Sequence, residues 1–110
     1  MVNHQADTPP QEAAILSIKL SDEEFGSFED REAAFALEDR LEEVLSETDE
    51  IEYDGHEFGG GWCKLYFYGP EAKRIADALR PALRSRELAA GSTLVLRFGP
   101  PGAREKRLRL

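Results

Sequence analysis

Hydrophobic and polar positions alternate along this chain with two different periods, and the places where the period changes divide it into elements. From Ala13 to Leu20 the run AAILSIKL sets Leu16, Ile18 and Leu20 against Ser17 and Lys19, the two-residue repeat of a half-buried strand. Ser21 to Ser27 is polar and reads as a connection. From about Phe28 to Ser46 the repeat lengthens. Ala34, Leu37, Leu41, Val44 and Leu45 fall on one helical stripe, and Glu38, Asp39, Glu42 and Glu43 are expected to face outward. Ser27 stands three residues before Asp30, which predicts an N-cap of the capping-box kind, and acidic residues in the first turn suit the helix dipole.

Two further strands are predicted over Glu50 to Phe58 (EIEYDGHEF) and Trp62 to Tyr68 (WCKLYFY), joined at Gly59-Gly60-Gly61. The loop length decides which side chains share a face, because a slip of one residue flips every side chain. A two-residue turn would put Ile51 and Tyr53 on the face of Trp62, Tyr66 and Tyr68. A three-residue glycine loop instead opposes Tyr53 to Phe67 and gathers Ile51, Tyr53, Cys63, Leu65 and Phe67 on one apolar face. The coherent apolar face selects the second register. Its other face then presents Trp62, Lys64, Tyr66 and Tyr68 beside Glu52, Asp54 and His56, with Ser17, Lys19 and Arg97 on neighbouring strands.

Pro70 suits the first turn of a second helix, striped by Ala72, Ile75, Ala76, Leu79 and Leu83, which Pro81 is expected to bend or end near Arg80. Basic residues decorate that helix, Arg86 among them. Ser92 to Phe98 alternates again as a strand. After the turn Gly99-Pro100-Pro101-Gly102, the segment Arg104 to Leu110 offers an additional edge strand whose Arg and Lys residues discourage pairing with other molecules. Strand, helix, hairpin, helix, strand is the order of an α+β, ferredoxin-like split β-α-β fold (βαββαβ), with one antiparallel sheet and two helices on one face. Residues 1–12 read as a disordered leader and residues 13–110 as a single domain.

A chain of 110 residues holds one ordinary domain. Its apolar runs fall far below the roughly 18 residues of a membrane span. No apolar signal segment precedes the domain, and the one cysteine, Cys63, has no intrachain partner, so the expected location is cytoplasmic. The net charge of -8 is unevenly spread: residues 1–60 carry 18 acidic and 3 basic side chains, residues 61–110 carry 4 and 11. Such a chain steers charged partners or neutralises itself internally.

The aromatic sheet face is the first candidate site. Nucleic-acid modules stack bases on such a face, yet the acidic side chains expected among these aromatics and the negative net charge argue against nucleic acid. A protein partner, or a second copy forming a homodimer through this open face, suits it better, because Trp and Tyr are favoured anchors. Asp54, His56 and Glu57, with Lys64 nearby, form a second candidate, a small-ligand or metal site on the hairpin, whose alternative implication is a ligand-binding protein or an enzyme. A strand points Asp54 and His56 one way and Glu57 the other, and no second cluster completes a shell, so no metal or cofactor is assigned. Cys63 falls on the apolar face and His56 on the other, so a nucleophile–base pair is not expected. No catalytic residue is assigned. His4 lies in the leader.

The segments Leu20-Ser21-Asp22-Glu23-Glu24-Phe25-Gly26, Asp54-Gly55 with Glu57 to Gly61, Leu65 to Pro70, and Gly99 to Glu105 together resemble an uncharacterised family of small stand-alone bacterial proteins. That resemblance implies the domain extent and a bacterial cytoplasmic origin, and no activity. Glu52-Tyr53-Asp54-Gly55 with the following aromatic strand is similar to acidic ferredoxin-like regulators that inhibit ribonuclease E, which implies a regulator working through protein contacts. The expectation is a non-catalytic interaction module. Trp62, Lys64, Tyr66 and Tyr68 would provide its contacts, and Glu38, Asp39, Glu42 and Glu43 would steer a basic partner.

Overall fold

A computed structural model describes residues 11–84, 88 and 91–110. The expected leader up to residue 10, His4 and Arg86 lie outside the described residues. The elements in order are β1 (Glu12–Lys19), α1 (Phe28–Leu45), β2 (Glu52–Gly59), β3 (Trp62–Gly69), α2 (Ala72–Arg84), β4 (Thr93–Arg97) and β5 (Glu105–Arg109). They build an α+β unit with one antiparallel sheet in the order β2-β3-β1-β4-β5, consistent with a ferredoxin-like arrangement but carrying five strands. Glu12, expected in the leader, is the first residue of β1, and its carboxylate accepts the Ala72 N–H at 2.8 Å, holding the start of α2.

One apolar cluster joins one face of the sheet to both helices. Leu16 and Ile18 of β1, Cys63, Leu65 and Phe67 of β3, and Leu94 and Leu96 of β4 pack with Leu37 and Leu41 of α1 and Ile75 and Leu79 of α2. Burying each such side chain is worth about 1.5–3 kcal/mol, which makes this face the source of the fold's cohesion. The start of α1 is fixed as its sequence implies. Ser27 Oγ accepts the Asp30 N–H at 3.0 Å, and Asp30 accepts the Ser27 N–H in return.

The hairpin departs from the sequence reading. Gly59 pairs with Trp62, so the turn is the two residues Gly60 and Gly61, both with positive φ (60° and 87°). Tyr53 nevertheless opposes Phe67, as expected, because a bulge between Tyr53 and His56 inserts one residue into β2. Gly55 in that bulge has φ 110°, a conformation glycine adopts without steric cost. The two-residue turn, for its part, sets His56 and Phe58 opposite Leu65 and Cys63 and so puts both on the helix side. His56 therefore does not join the aromatic face.

Pro81 does not end α2. The helix runs on to Arg84, since Ala82 and Leu83 are buried in the core and hold the last turn on the sheet. Among the described residues no helix is long and apolar enough to cross a membrane.

Candidate docking face

The sheet face away from the helices is ordered by strand register into cross-strand rows. Opposed residues of an antiparallel pair share a face, so the pairings place Lys64, Ser17, Thr93 and Arg109 in one row. Tyr66, Ile15, Val95 and Arg107 form the next, and Tyr68, Ala13, Arg97 and Glu105 the one beyond. Trp62 lies opposite Lys19 at the hairpin end, with the Lys19 ammonium 5.2 Å from the indole centroid. The four contact residues expected on β3, Trp62, Lys64, Tyr66 and Tyr68, thus share one face, and each is half-buried.

The rows give the face a cross-section. β1 and β4 contribute short side chains, Ala13, Ile15, Ser17, Thr93 and Val95, with Arg97 the long exception in the Tyr68 row. The flanking strands contribute long ones, aromatics and Lys64 from β3, Arg107 and Arg109 together with the acidic Glu105 from β5. The result is a trough with an aromatic wall and an arginine wall. A concavity of about 370 Å³ lies in it, floored by Ile15, Ser17, Thr93 and Val95 and flanked by Trp62 and Lys64 on one side and Glu105 and Arg107 on the other. A second, of about 410 Å³, continues past Trp62 and Lys64 to Glu57 and Gly60 on the hairpin. Tyr66 donates its hydroxyl to Glu57 at 3.1 Å, and burial together with that carboxylate pushes its phenol pKa upward.

Glu38 does not face outward with Asp39, Glu42 and Glu43. Its side chain is only 15 % exposed, and its Oε2 accepts the Tyr53 hydroxyl and lies 2.7 Å from His56 Nδ1. Phe35 and Phe58 pack around the imidazole, at 5.5 and 5.4 Å between centroids. Burial, then the Glu38 hydrogen bond, holds the Tyr53 phenol well above its ordinary range. Glu38 is thereby a structural acceptor between helix and hairpin, and only Asp39, Glu42 and Glu43 of the expected four are exposed.

Asp54, His56 and Glu57 are not brought together. Asp54 sits at the bulge, His56 turns to Glu38 on the helix side, and Glu57 turns to Tyr66 on the open face. Among the described residues no group of three His, Cys, Asp or Glu side chains could hold a metal ion. Cys63 shares the helix side with His56, contrary to expectation, yet its thiol is 1 % exposed among leucines. Burial, assisted by the Glu38 charge, pushes its pKa up to about 12, which leaves almost no thiolate at neutral pH.

The trough floor and the Arg107–Arg109 wall escaped the sequence reading. The alternation in Arg104 to Leu110 was visible, but placing those cations opposite the aromatics requires knowing that β5 pairs with β4. Compared with protein-family models, with curated proteins and with solved structures, the chain matches none.

Proposed function

We propose that this protein is a small non-catalytic interaction or regulatory module with a ferredoxin-like fold extended by one strand, and that it docks a protein on its open sheet face. The observation that carries the reading is the trough, in which half-buried Lys64 and Tyr66 face the exposed Arg109 and Arg107 across a floor of short residues, with Trp62 and Tyr68 to either side. Trp, Tyr and Arg are the residues that most often dominate binding energy at protein interfaces. Mixed aromatic and cationic walls suit a partner that brings both apolar and acidic groups. The similarity of Glu52-Tyr53-Asp54-Gly55 and the aromatic strand to ribonuclease E inhibitory regulators points the same way.

The geometry of the titratable groups supports the absence of chemistry from this reading. Cys63 is a core thiol, and the Tyr53–Glu38–His56 cluster is spent on joining β2 to α1. The test is chemical crosslinking of the tagged full chain in a bacterial extract, followed by identification of crosslinked residues. The expected result is protein adducts mapped to the trough, another copy of this chain counting as a partner, and lost in the Trp62→Ala/Tyr66→Ala double variant. Equal capture by the variant, or adducts confined to other faces, overturns the reading.

A further inference from the structure

A second surface on the molecule matches the trough. On α1, the buried Ala34, Leu37, Leu41 and Leu45 define the inward side. At 100° per residue, Phe28, Glu32, Asp39 and Glu43 fall in one stripe about 60° wide on the opposite side, and all four are exposed. Phe28 is 65 % exposed, a large value for an aromatic side chain on a helix whose other apolar face is fully used. Among the described residues, neither Glu32, Asp39 and Glu43 nor Lys64, Arg107 and Arg109 take part in an ion pair. Each surface therefore displays charge that the fold leaves uncompensated by close pairing.

We infer that the trough of one copy receives the outer face of α1 from a second copy, so that the chain associates with itself head to tail. This rests on the docking role given to the open face above. The sizes agree: β3 and β5 are three strand spacings apart, about 14 Å, and a helix with side chains is about 10–12 Å across. Three carboxylates on α1, Glu32, Asp39 and Glu43, meet Lys64, Arg107 and Arg109 on the trough walls. Phe28 meets Trp62, Tyr66 and the Ile15–Val95 floor.

A symmetric pairing of two open faces fits less well. It would set trough against trough, leaving the short floors without packing partners and bringing the arginine walls of both copies into the same interface. The α1 face and the open sheet face lie on opposite sides of the sheet, so the head-to-tail contact uses two different patches and does not close on itself as a twofold dimer does. The overall charge of -8 opposes this association, while the local complementarity favours it within the roughly 8 Å over which charges act at physiological salt.

The test uses two full-length variants, each damaged on one surface only. Arg107→Glu/Arg109→Glu reverses the arginine wall, and Asp39→Lys/Glu43→Lys reverses the helix stripe; all four positions are exposed, and circular dichroism checks that both variants fold. Mass is read by light scattering at low salt over a concentration series. The wild-type chain is expected to grow beyond dimer with concentration, each variant alone to remain monomeric, and an equimolar mixture to grow again, because the intact helix meets the intact trough and the two reversed surfaces are also complementary to each other. A wild-type chain that stays monomeric overturns the inference, as does a mixture that stays monomeric or a helix variant that still dimerises. A monomer that still captures another protein through Trp62 overturns self-docking alone and leaves the docking role standing. Single-stranded oligonucleotide that quenches Trp62 fluorescence in a monomeric wild-type chain, and fails to do so after Arg107→Glu/Arg109→Glu, assigns the trough to nucleic acid and overturns both.

Discussion

Asp30 gathers three donors on one carboxylate oxygen: the Ser21 N–H at 2.9 Å, the Ser21 hydroxyl at 2.5 Å and the Ser27 N–H at 3.0 Å. These hydrogen bonds, the Ser21 hydroxyl foremost, lower its pKa from 3.8 to about 2. A group depressed in the folded state stabilises fully above its unfolded value and loses that contribution as pH falls from about 4 toward 2. Thermal unfolding of the wild type should therefore drop more steeply over that range than unfolding of Asp30→Asn. Ser27→Ala, which removes the reciprocal cap bond, should cost about 1 kcal/mol at neutral pH. At the same scale, Cys63 in the native chain should react with a thiol reagent at pH 8 more than ~100-fold slower than in the urea-unfolded chain, because its thiolate fraction is minute and its sulfur buried. Rapid native labelling would reopen a chemical role for it. The capping pair was legible in the sequence because Ser27 and Asp30 act over three residues. Glu38 was misread because its partners, Tyr53 and His56, lie 15 and 18 positions away, and nothing local distinguishes it from Asp39.

At the scale of elements, the hairpin shows how two local features compensate. The two-residue Gly60-Gly61 turn shifts the register one way and the Gly55 bulge shifts it back, so Tyr53 meets Phe67 although the loop length was misjudged. The apolar pattern reports the net register near Tyr53 but carries no sign of where an extra residue is absorbed. The facing of His56 depended on that and was lost. Gly55→Val should cost about 1–3 kcal/mol in urea denaturation, since a β-branched residue is strained at φ 110°. Gly61→Ala should destabilise more than Gly102→Ala. Both have positive φ (87° and 96°), but a Cβ on Gly61 would lie 3.0 Å from the Asp22 carbonyl oxygen, whereas one on Gly102 meets open space. Equal costs would mean that the loop after β1 does not press on the hairpin. The continuation of α2 through Pro81 has a similar lesson: propensity marked a stop, and burial of Ala82 and Leu83 overrode it.

For the whole molecule, the sequence made the charge asymmetry visible, but the fold mixes it in space: basic α2 packs beside acidic α1, and Glu52, Glu57 and Glu105 share the open face with Arg107 and Arg109. The acidic first half supplies α1 on one side. The basic second half supplies β5, which pairing with β4 brings beside the aromatics of β3. One antiparallel sheet with both helices on one face was implied by the element pattern, whereas the trough needed the register of four strands at once. Its contacts should weaken with salt, because the walls are lined by exposed charge. The claim at the centre of this account is that α1 of one copy covers the aromatic trough of the next, and the chain's one tryptophan, Trp62, reports on it directly. The measurement is the emission maximum and acrylamide quenching of Trp62 in the untagged protein across a concentration series, at low and at high salt. Emission that moves to shorter wavelength and becomes protected with concentration at low salt, and reverts at high salt or in the Arg107→Glu/Arg109→Glu variant, is the expected result. Emission and quenching that stay constant across the series at low salt would contradict it.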